Sequence, residues 1–412
     1  MRAGGRPGDS IGEPSSAWAA SQDAIADEAV RLALERSREG SARLREAGIA
    51  HPERRGLRGL RKVPVLAKDD LPELQAADPP FGGMLAVDIG MLRRIHQSPG
   101  PINDPEGQHS DYWRMAPAFE AAGFRREEIV LNTFSYHMTP GGHMMDAGLR
   151  AVGCVVVAGG VGNTAGQAAF ASQVGATGYV GTPQFLLALL ERGRKDGIAP
   201  TFERALVSGA PLPPSLRRLL EEDHRVSVFQ AYGTADAGAI GYECEAKDGW
   251  HIAPGIVVEV LNPGTREPCE PGDPGEVVVT SANRVYPLVR FGTGDLSTFL
   301  PDPCACGRPS ARLGGFLGRV GEGVKVRGMF VHPRQLAEAL GGAPGVLRYQ
   351  GVATEENHRD IFTVSVETPS GQSPDVERLA DRLRESTRVR VEVRQVAPGT
   401  IPEDARPIVD QR

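Results

Sequence analysis

Short runs of β-branched residues alternate with helical segments through the middle of the chain, and no other feature restricts the fold as strongly. Strand-like runs include EIVLNTF, CVVVAGG, TGYVGTP and VSVFQAYG, and helical segments between them include MMDAGLRAVG, AGQAAFASQVG and FLLALLERGRKDG. Strands that alternate with helices form a largely parallel sheet with helices packed on its faces. The sequence therefore predicts an α/β fold for this part of the chain.

Changes in composition and in the pattern of apolar residues along the chain predict its domains. The first twenty residues are rich in Gly, Pro and Ser, which is typical of a disordered tail, and an amphipathic helical pattern follows from about Ser21 to Ala47. After Tyr242, Pro- and Gly-rich turns separate strands without helices, and near Gly318 strand and helix patterns resume. The predicted organisation is a disordered tail (1–20), a large N-terminal α/β body (21–318) that includes an antiparallel β subdomain (about 243–318), and a small mobile α+β C-terminal domain (319–412).

Charge and hydropathy exclude two large classes of partner. Charged residues make up 24% of the 412 residues and the formal net charge is −6, without a basic stripe, so we expect no nucleic-acid partner. The chain has no apolar run of the about eighteen residues that a membrane helix needs and no secretory signal pattern, so we expect a cytoplasmic protein without a membrane partner. Its five cysteines should then be reduced, which favours metal ligation over disulfides.

Three cysteines and one histidine form a candidate metal site. Cys244 and His251 lie in YEC-x6-H, while Cys304 and Cys306 lie in the turn-rich segment PDPCACGRP. Three thiolates and one imidazole suit tetrahedral zinc, and a closed set of four protein ligands is typical of a structural site. Scattered core cysteines beside a surface histidine are the alternative, and spacing alone leaves both interpretations open because C-x-C is less specific than paired C-x-x-C.

Small and polar residues follow strand-like runs in SGAPLPPSLRRLL, VFQAYGTADAG and PLVRFGTGDLS. Ligands of a parallel α/β sheet collect beyond the carboxyl ends of its strands. Small residues there let a planar base approach the backbone, and a carboxylate accepts hydrogen bonds from ribose hydroxyls. The candidates are Gly209, Ala210, Gly233 and Thr234 for the base, Asp295 for the ribose, and Asp236 for a magnesium ion or the reacting carboxylate.

Five motifs in the same order resemble the adenylate-forming superfamily, and within it the phenylacetate-CoA ligase branch. VSGAPLPPSL and FQAYGTADAG are similar to the adenine-binding and YG-x-(S/T)-E elements, PLVRFGTGDLS to LIRYRTGD, CACGR to C-x-C-G-R, and GRVGEGVKVRGMFVHP to the hinge element G-R-x-D-D-x-(I/V)-K-V-R-G. LRKVPVLAKDDLPEL resembles a segment that this branch carries upstream. The resemblance covers nearly all of the chain after the tail and implies the adenylate-forming enzyme fold.

The resemblance also implies roles for individual residues. It implies that the nucleotide is held by Ser98, Ser208, Gly209, Ala210, Ala231, Tyr232, Gly233, Thr234, Asp295 and Arg319. It implies an acid pocket lined by Phe134, Tyr136, His137 and Gly141, a catalytic role for Asp236, and metal ligation by the Cys/His set, and Arg406 is the candidate for the second catalytic residue. The implied cofactors are ATP, Mg²⁺, coenzyme A and a structural Zn²⁺.

Two departures from the family pattern fall at the phosphate end of this site. The family's Ser/Thr/Gly-rich phosphate loop is replaced by HQSPGPINDPEG, which keeps Ser98 but puts the negative charges of Asp104 and Glu106 where phosphate is expected. The family's lysine in a terminal G-K pair is absent from GTIPEDARPIVDQR, where Arg406 is the nearest cation.

Three functions therefore stay open. The first is ATP-dependent activation of a small carboxylic acid, aromatic or arylacetic, with transfer of the acyl group to coenzyme A. The second is adenylation with transfer to an amine or to the thiol of a carrier protein. The third is a catalytically impaired homologue that binds a nucleotide or an acyl ligand, since a shared fold does not fix function. A homodimer is expected only by analogy with the family.

Overall fold

The chain folds into a large body built on two sheets and a small C-terminal unit built on a third. The computed structural model describes residues 16–52, 56–98, 101–198, 200–326, 329–356, 359–371 and 374–412. Residues 1–15 of the predicted tail lie outside the described residues. For residues 16–20 the prediction is wrong, because the alanine-rich segment SAWAA favours helix and the first helix begins at Ser16.

The elements alternate along the chain as the sequence predicts. The α-helices are α1 (Ser16–Arg36), α2 (Arg38–Glu46), α3 (Gly56–Leu60), α4 (Leu71–Ala77), α5 (Ala116–Ala121), α6 (Gly141–Val152), α7 (Thr164–Gln173), α8 (Pro183–Lys195), α9 (Pro214–Arg218), α10 (Pro333–Leu340) and α11 (Val376–Thr387). The strands are β1 (Leu66–Ala67), β2 (Arg94–Ser98), β3 (Ile102–Glu106), β4 (Ile129–Asn132), β5 (Val155–Ala158), β6 (Gly178–Gly181), β7 (Arg204–Val207), β8 (Ser227–Thr234), β9 (Gly238–Tyr242), β10 (Trp250–Ile252), β11 (Ile256–Leu261), β12 (Gly275–Ser281), β13 (Leu288–Ser297), β14 (Arg312–Leu313), β15 (Gly318–Arg319), β16 (Val324–Val326), β17 (Met329–Val331), β18 (Arg348–Glu356), β19 (Arg359–Glu367), β20 (Val391–Val396) and β21 (Ile408–Asp410). Among the helices of the described residues, none combines the length and the apolar character needed to cross a membrane.

The central sheet of the body has eight strands in the order β14-β10-β9-β8-β7-β6-β4-β5. The strands β5, β4, β6, β7 and β8 are parallel, and helices α6, α7 and α8 lie between them in sequence. Apolar clusters cover both faces, so β6 is buried along its whole length. The predicted α/β arrangement is confirmed, and it brings the carboxyl ends of β4, β7 and β8 to one edge of the sheet.

A second sheet contains β11, β12 and β13 in antiparallel order, with β1 and β15 on the outer side of β13. The predicted β subdomain is divided between the two sheets, because β10 and β14 pair with the large sheet instead. Helix α1 packs on the second sheet through Ala29 and Ala33, against Val257 and Val289. The predicted helix from 21 to 47 is broken at Ser37, whose hydroxyl accepts the amide hydrogen of Gly40 and caps α2.

The small unit has a four-stranded sheet in the order β20-β19-β18-β21, with α10 and α11 packed on it. Its own apolar core begins at Val324 and includes Leu336, Phe362 and Leu383. Arg319 was predicted to start this unit, but β15 still pairs with β13 and belongs to the body. The boundary between the two units therefore lies a few residues later than the return of strand and helix patterns in the sequence, as is common for element ends.

One glycine marks the junction of the two units. Gly318 has a φ of +126°, and a side chain there would collide with the ring of His332, which caps α10. Glycine is therefore required both for the backbone angle and for the close approach of the ring. A second contact joins the units where the Arg388 guanidinium pairs with the Asp273 carboxylate of the body.

Candidate active site

The loops after the parallel strands gather the predicted nucleotide residues along one edge of the large sheet. Ser208, Gly209 and Ala210 follow β7, while Ala231, Tyr232, Gly233 and Thr234 form the end of β8. Gly209 has a φ of +73°, and a side chain there would meet the ring of Phe134, which follows β4. The glycine thus lets the β7 loop approach Phe134 closely.

Asp295 is held by two neighbours that were also predicted to contact the nucleotide. The Tyr232 hydroxyl donates to Asp295 Oδ2 at 2.9 Å, and Arg319 Nε lies 3.2 Å from Asp295 Oδ1. Burial raises the pKa of Asp295 above its ordinary value, and burial and the nearby Asp295 carboxylate raise the pKa of Tyr232. The phenol therefore stays protonated and serves as a donor to the carboxylate.

Asp236 is paired with a cation to which sequence reasoning assigned no role. Lys68 directly follows β1, which lies parallel to β13, and its Nζ is 2.5 Å from Asp236 Oδ2. The Asp236 side chain has no exposed surface. The charge of Lys68 also acts on Asp295, where it partly offsets the rise in pKa that burial causes. The signal in the sequence was the charged triplet KDD immediately after the apolar run VPVLA.

Asp104, on β3, places a second carboxyl group beside Asp236. It is 1% exposed, and among the described residues neither its oxygens nor Asp236 Oδ1 have a hydrogen-bond partner while both groups are ionised. Burial raises the pKa of Asp104 to about 8, and the charge of Asp236 adds to the shift. Asp104 therefore holds a proton at neutral pH and can donate it in a hydrogen bond to Asp236.

Replacing Asp104 with asparagine should stabilise the folded protein, and more so as the pH rises. Folded Asp104 keeps a proton that the unfolded chain releases near pH 4, so its contribution to the free energy of unfolding falls by about 1.4 kcal/mol per pH unit between pH 4 and 8 and is then constant. Asparagine does not titrate. Urea unfolding of the proteins without added magnesium at pH 5, 6.5 and 8 measures the difference, with Asp69→Asn as the exposed control. Equal pH slopes for wild type and Asp104→Asn would contradict the shift.

The β2–β3 hairpin carries less negative charge than the sequence suggested. Buried Glu106 accepts a hydrogen bond from Arg94 Nη1 at 2.9 Å and lies 3.0 Å from His96 Nε2. Ser98 is buried at the end of β2 beside Asp104, and residues 99 and 100 lie outside the described residues. With Asp104 protonated and Glu106 paired, the hairpin does not present two free carboxylates to a phosphate.

Three of the four predicted acid-pocket residues lie together at the start of helix α6. The ring of Phe134 lies against Gly141 at the start of α6, and the ring of Tyr136 makes an edge contact with His143, with 5.1 Å between centroids. His137 instead has an exposed side chain. His143 was missed by sequence reasoning, although it follows Gly141 by two residues on the same helix.

Arg406 lies on the small unit, just before β21, and its side chain is exposed. Its carbonyl accepts a hydrogen bond from Gln350 Nε2 at 2.9 Å. Among the contacts of the described residues, none joins Arg406 to Asp236. The catalytic role predicted for Arg406 therefore has no support in this arrangement of the two units, and the cation beside Asp236 is Lys68.

The four predicted metal ligands converge from three separate segments. Cys244 follows β9, His251 lies in β10, and Cys304 and Cys306 lie in the loop between β13 and β14. Their ligand atoms all lie within 4.8 Å of one another, with 3.6 Å between Cys244 Sγ and Cys304 Sγ and 3.3 Å between Cys306 Sγ and His251 Nε2. Tetrahedral zinc with ordinary bond lengths separates its ligand atoms by about 3.5–3.8 Å. The donor set therefore fits zinc, and the alternative of scattered cysteines is wrong.

A neighbouring serine orients the imidazole of this cluster. Ser310 Oγ lies 2.9 Å from His251 Nδ1, which turns Nε2 toward the thiols. Burial lowers the pKa of His251 to about 4, so the ring is neutral, the form that ligates a metal.

Family models and curated relatives agree with the motifs. The model described as AMP-binding enzyme matches residues 108–285, and the model described as AMP-binding enzyme C-terminal domain matches residues 328–412. The chain belongs to the AMP-binding enzyme family. The phenylacetate-coenzyme A ligase of Thermus thermophilus is 29% identical over 395 residues, covering 87% of this chain and 88% of the relative, and that of Escherichia coli is 25% identical over 385 residues, covering 86% and 85%. These relatives place this AMP-binding enzyme in the phenylacetate-CoA-ligase-like branch of the adenylate-forming superfamily.

Solved structures confirm the predicted fold of this AMP-binding enzyme. An open conformation of 2-hydroxyisobutyryl-CoA ligase in complex with 2-HIB-AMP and CoA matches with a TM-score of 0.87 at 23% identity, covering 98% of this chain and 95% of that chain. The amide bond synthetase McbA from Marinactinospora thermotolerans matches with a TM-score of 0.52 at 20% identity, covering 76% and 67%. Both likenesses concern the adenylate-forming fold.

Proposed function

We propose that this AMP-binding enzyme is an AMP-forming acid:CoA ligase, which activates a carboxylic acid with ATP and transfers the acyl group to coenzyme A. The observation that carries the proposal is the edge of the large sheet, where the Tyr232–Asp295–Arg319 group and the Lys68–Asp236 pair lie together. The names of the relatives, which align along most of this chain, support the same reaction.

In the first half-reaction, a carboxylate oxygen of the acid attacks the α-phosphorus of ATP, and the bond to pyrophosphate breaks. Asp295 accepts hydrogen bonds from the ribose hydroxyls, and the loop after β7 and the end of β8 contact the adenine. The ammonium of Lys68, fixed by Asp236, stabilises the negative charge that develops as pyrophosphate leaves. A cation held in place before the reaction needs no reorganisation when the charge appears.

Magnesium fits this end of the site. Among the described residues, Asp236 Oδ1 and the Asp104 oxygens have no hydrogen-bond partner other than each other, and once the Asp104 proton is released they are hard oxygen ligands of the kind that suits Mg²⁺. When bound, Mg²⁺ supplies further neutralisation of the phosphate charges.

In the second half-reaction, the sulfur of coenzyme A attacks the acyl carbon, the thiol gives up its proton, and AMP leaves. The small unit meets the body at Gly318 and Arg319, and Arg319 already contacts Asp295. Rotation at this junction changes which face of the small unit covers the nucleotide, so that one crevice serves both half-reactions.

The side chains beside the crevice favour an aromatic or arylacetic acid. Phe134 and Tyr136 present rings on one side, and Met144 approaches Gly233 from α6. Aromatic substrates gain from edge and stacking contacts with such rings, and methionine adapts its shape to an apolar ligand.

We also infer that the Cys/His cluster holds a structural zinc ion. Its four protein ligands leave no open coordination position for a substrate, which is the pattern of structural sites. The ion would tie the end of β9, strand β10 and the loop before β14 together. Zinc therefore supplies stability and not chemistry in this proposal.

Pure protein incubated with ATP, magnesium and a panel of aryl acids tests the reaction. AMP and pyrophosphate release that requires coenzyme A supports the proposal. Turnover that requires an added amine or a carrier protein would show that this molecule, and not coenzyme A, accepts the acyl group. Nucleotide binding without AMP from any acid, with zinc bound and the protein folded, would reject catalysis.

Replacing Asp295 with alanine should weaken ATP binding by about 10- to 100-fold, because hydrogen bonds to a charged group contribute about 1.5–3 kcal/mol and each 1.4 kcal/mol is tenfold. Calorimetric titration of ATP into the metal-loaded protein measures the affinity. Glu270→Ala, which removes an exposed carboxylate in the loop between β11 and β12, is the control and should bind ATP as wild type does. Unchanged affinity in Asp295→Ala would place the ribose elsewhere.

A further inference from the structure

A cavity of about 590 Å³ opens on the body beside β11, the last strand of the second sheet. Its walls come from β11, the start of α1, the region of α3 and the loop between β13 and β14. Among its described lining residues, none was assigned to the nucleotide, the acid or the phosphates. A cavity of this size accommodates a small organic molecule. We call it the β11 cavity.

The walls of the β11 cavity are mostly apolar and rigid. Trp18 and Phe299, both half-buried, line it together with Leu57, Val258 and Val260. Five prolines add to the lining: Pro268, Pro271, Pro301, Pro303 and Pro309. Proline has a fixed φ and no side-chain rotamers to order, so these walls lose little conformational freedom when a ligand binds. The lining therefore favours a ligand with an aromatic or aliphatic body.

A buried amide lines the cavity without a protein partner. Gln22 on α1 is 4% exposed, and its side chain forms no hydrogen bond with any of the described residues. A buried polar group that lacks a partner costs free energy unless water or a ligand satisfies it. Gln22 can donate a hydrogen bond through Nε2 or accept one through Oε1.

The charges that the β13–β14 loop and the start of β14 bring to the cavity are largely compensated. Arg308 Nη1 lies 2.9 Å from Glu245 Oε2, and Arg312 Nη1 lies 2.7 Å from Asp248 Oδ2. Asp302 has an exposed side chain at the rim, and its carbonyl accepts a hydrogen bond from Arg312. Among the described residues, this side of the cavity therefore offers a ligand no unpaired cation.

The side of the cavity near α1 and α3 has an excess of positive charge. Burial raises the pKa of Glu259, and the charges of Arg290 and Arg61 oppose the rise. Arg290 Nε lies 3.1 Å from Glu259 Oε2, whereas exposed Arg61 has no ion pair with a described residue. The Asp23 carboxylate is occupied, because it accepts the amide hydrogen of Leu57 at 2.8 Å and joins α1 to α3. An anionic group is therefore favoured beside Arg61.

We propose that the β11 cavity binds an apolar carboxylic acid as a second ligand of this protein. Its carboxylate pairs with Arg61 and accepts a hydrogen bond from Gln22 Nε2, while its aryl or acyl body lies against Trp18 and Phe299. An amine is disfavoured, because Glu259 already has two guanidinium groups acting on it. The inference rests on this cavity alone and does not depend on the proposed reaction.

Fluorine magnetic resonance of the full chain labelled with 5-fluorotryptophan tests the site, because the three tryptophans distinguish the cavity from the active site. Trp18 lines the cavity, whereas Trp113 Nε1 donates to the Ala235 carbonyl and Trp250 stacks on Tyr232. Octanoate and 3-phenylpropionate, added without ATP, should each shift the Trp18 resonance with a dissociation constant of about 1 mM or lower. The tighter of the two identifies the body as acyl or aryl.

Matched variants test the two polar contacts. Arg61→Gln and Gln22→Leu should each weaken binding of the acid by about 10-fold or more, because each removes a hydrogen bond to a charged group. Gln22→Leu should fold as the wild type does, since leucine is similar in size and the amide has no protein partner to lose. Arg58→Gln removes an exposed arginine of α3 that does not line the cavity and should bind the acid normally.

Uncharged analogues test the chemical class of the ligand. Octan-1-ol and 3-phenylpropan-1-ol keep the apolar bodies but lack the carboxylate, so they should bind about 10-fold more weakly or worse. An unshifted Trp18 resonance at about 10 mM of both acids, wild-type affinity in both folded variants, or equal binding of acids and alcohols would overturn the proposal. Shifts confined to Trp113 and Trp250 would place the acid in the active site and overturn it as well.

Discussion

Replacing Lys68 with alanine should reduce AMP formation by at least about 100-fold, the loss typical when one preorganised charge is removed from an active site. The terminal lysine of the family is absent from this chain, and Lys68 is the cation that the structure places against Asp236. The substitution also leaves Asp236 without a positive partner in a buried position, which should destabilise the protein by about 3 kcal/mol or more. Pyrophosphate release at saturating ATP and acid measures the catalytic loss.

Matched variants separate the catalytic role of Lys68 from its structural role. Lys62→Ala removes an exposed lysine six residues upstream and should have wild-type activity. Lys68→Arg keeps the charge and should retain the fold but only part of the rate, because the planar guanidinium delivers its charge differently. Asp295→Ala should mainly raise KM for ATP, whereas Lys68→Ala should mainly lower kcat. A folded Lys68→Ala protein with wild-type kcat would contradict the assignment.

Replacing Cys306 with serine should remove the zinc ion, about one per chain, and lower the thermal midpoint by about 10 °C or more. The effect is large because the ion ties the loop that carries Cys304 and Cys306 to the paired strands β9 and β10. Metal analysis of the purified proteins and a thermal scan measure the two effects.

A second cysteine variant controls for the loss of a thiol. Cys269 lies outside the cluster, so Cys269→Ser should keep the zinc content and nearly all of the stability of the wild type. Chelation of zinc from the wild type should reproduce the lower midpoint of Cys306→Ser. Equal zinc in wild type and Cys306→Ser would reject the ligand set.

The sequence predicted those parts of the site that depend on one local pattern. Parallel strands place their carboxyl ends at one edge, so Gly209 and Gly233 were predictable from the alternation of strands and helices, whereas Tyr232 was predicted from the family resemblance. Asp295 followed from a motif on a single strand. The grouping of the three cysteines and His251 was predicted from their ligand types together with the family resemblance, because the C-x-C spacing alone left scattered cysteines open.

The parts that sequence reasoning missed depend on contacts between distant segments. Lys68 reaches Asp236 only because β1 pairs with β13, and two-residue strands leave almost no periodic signal. The proton on Asp104 follows from burial, which the polar segment PINDPEG does not reveal. Arg406 was chosen by its position near the terminus, but position along the chain does not determine where a mobile unit carries a side chain.

The contact between the His332 ring and Gly318 makes it possible to follow the relative orientation of the two units by spectroscopy. Because His332 belongs to the small unit and Gly318 to the body, any swivel at the junction must slide the ring off the glycine and change the ring's surroundings. The nuclear magnetic resonance of this one histidine should therefore shift with each new orientation of the two units. His332 therefore reports on the orientation of the two units in the native chain without an attached label.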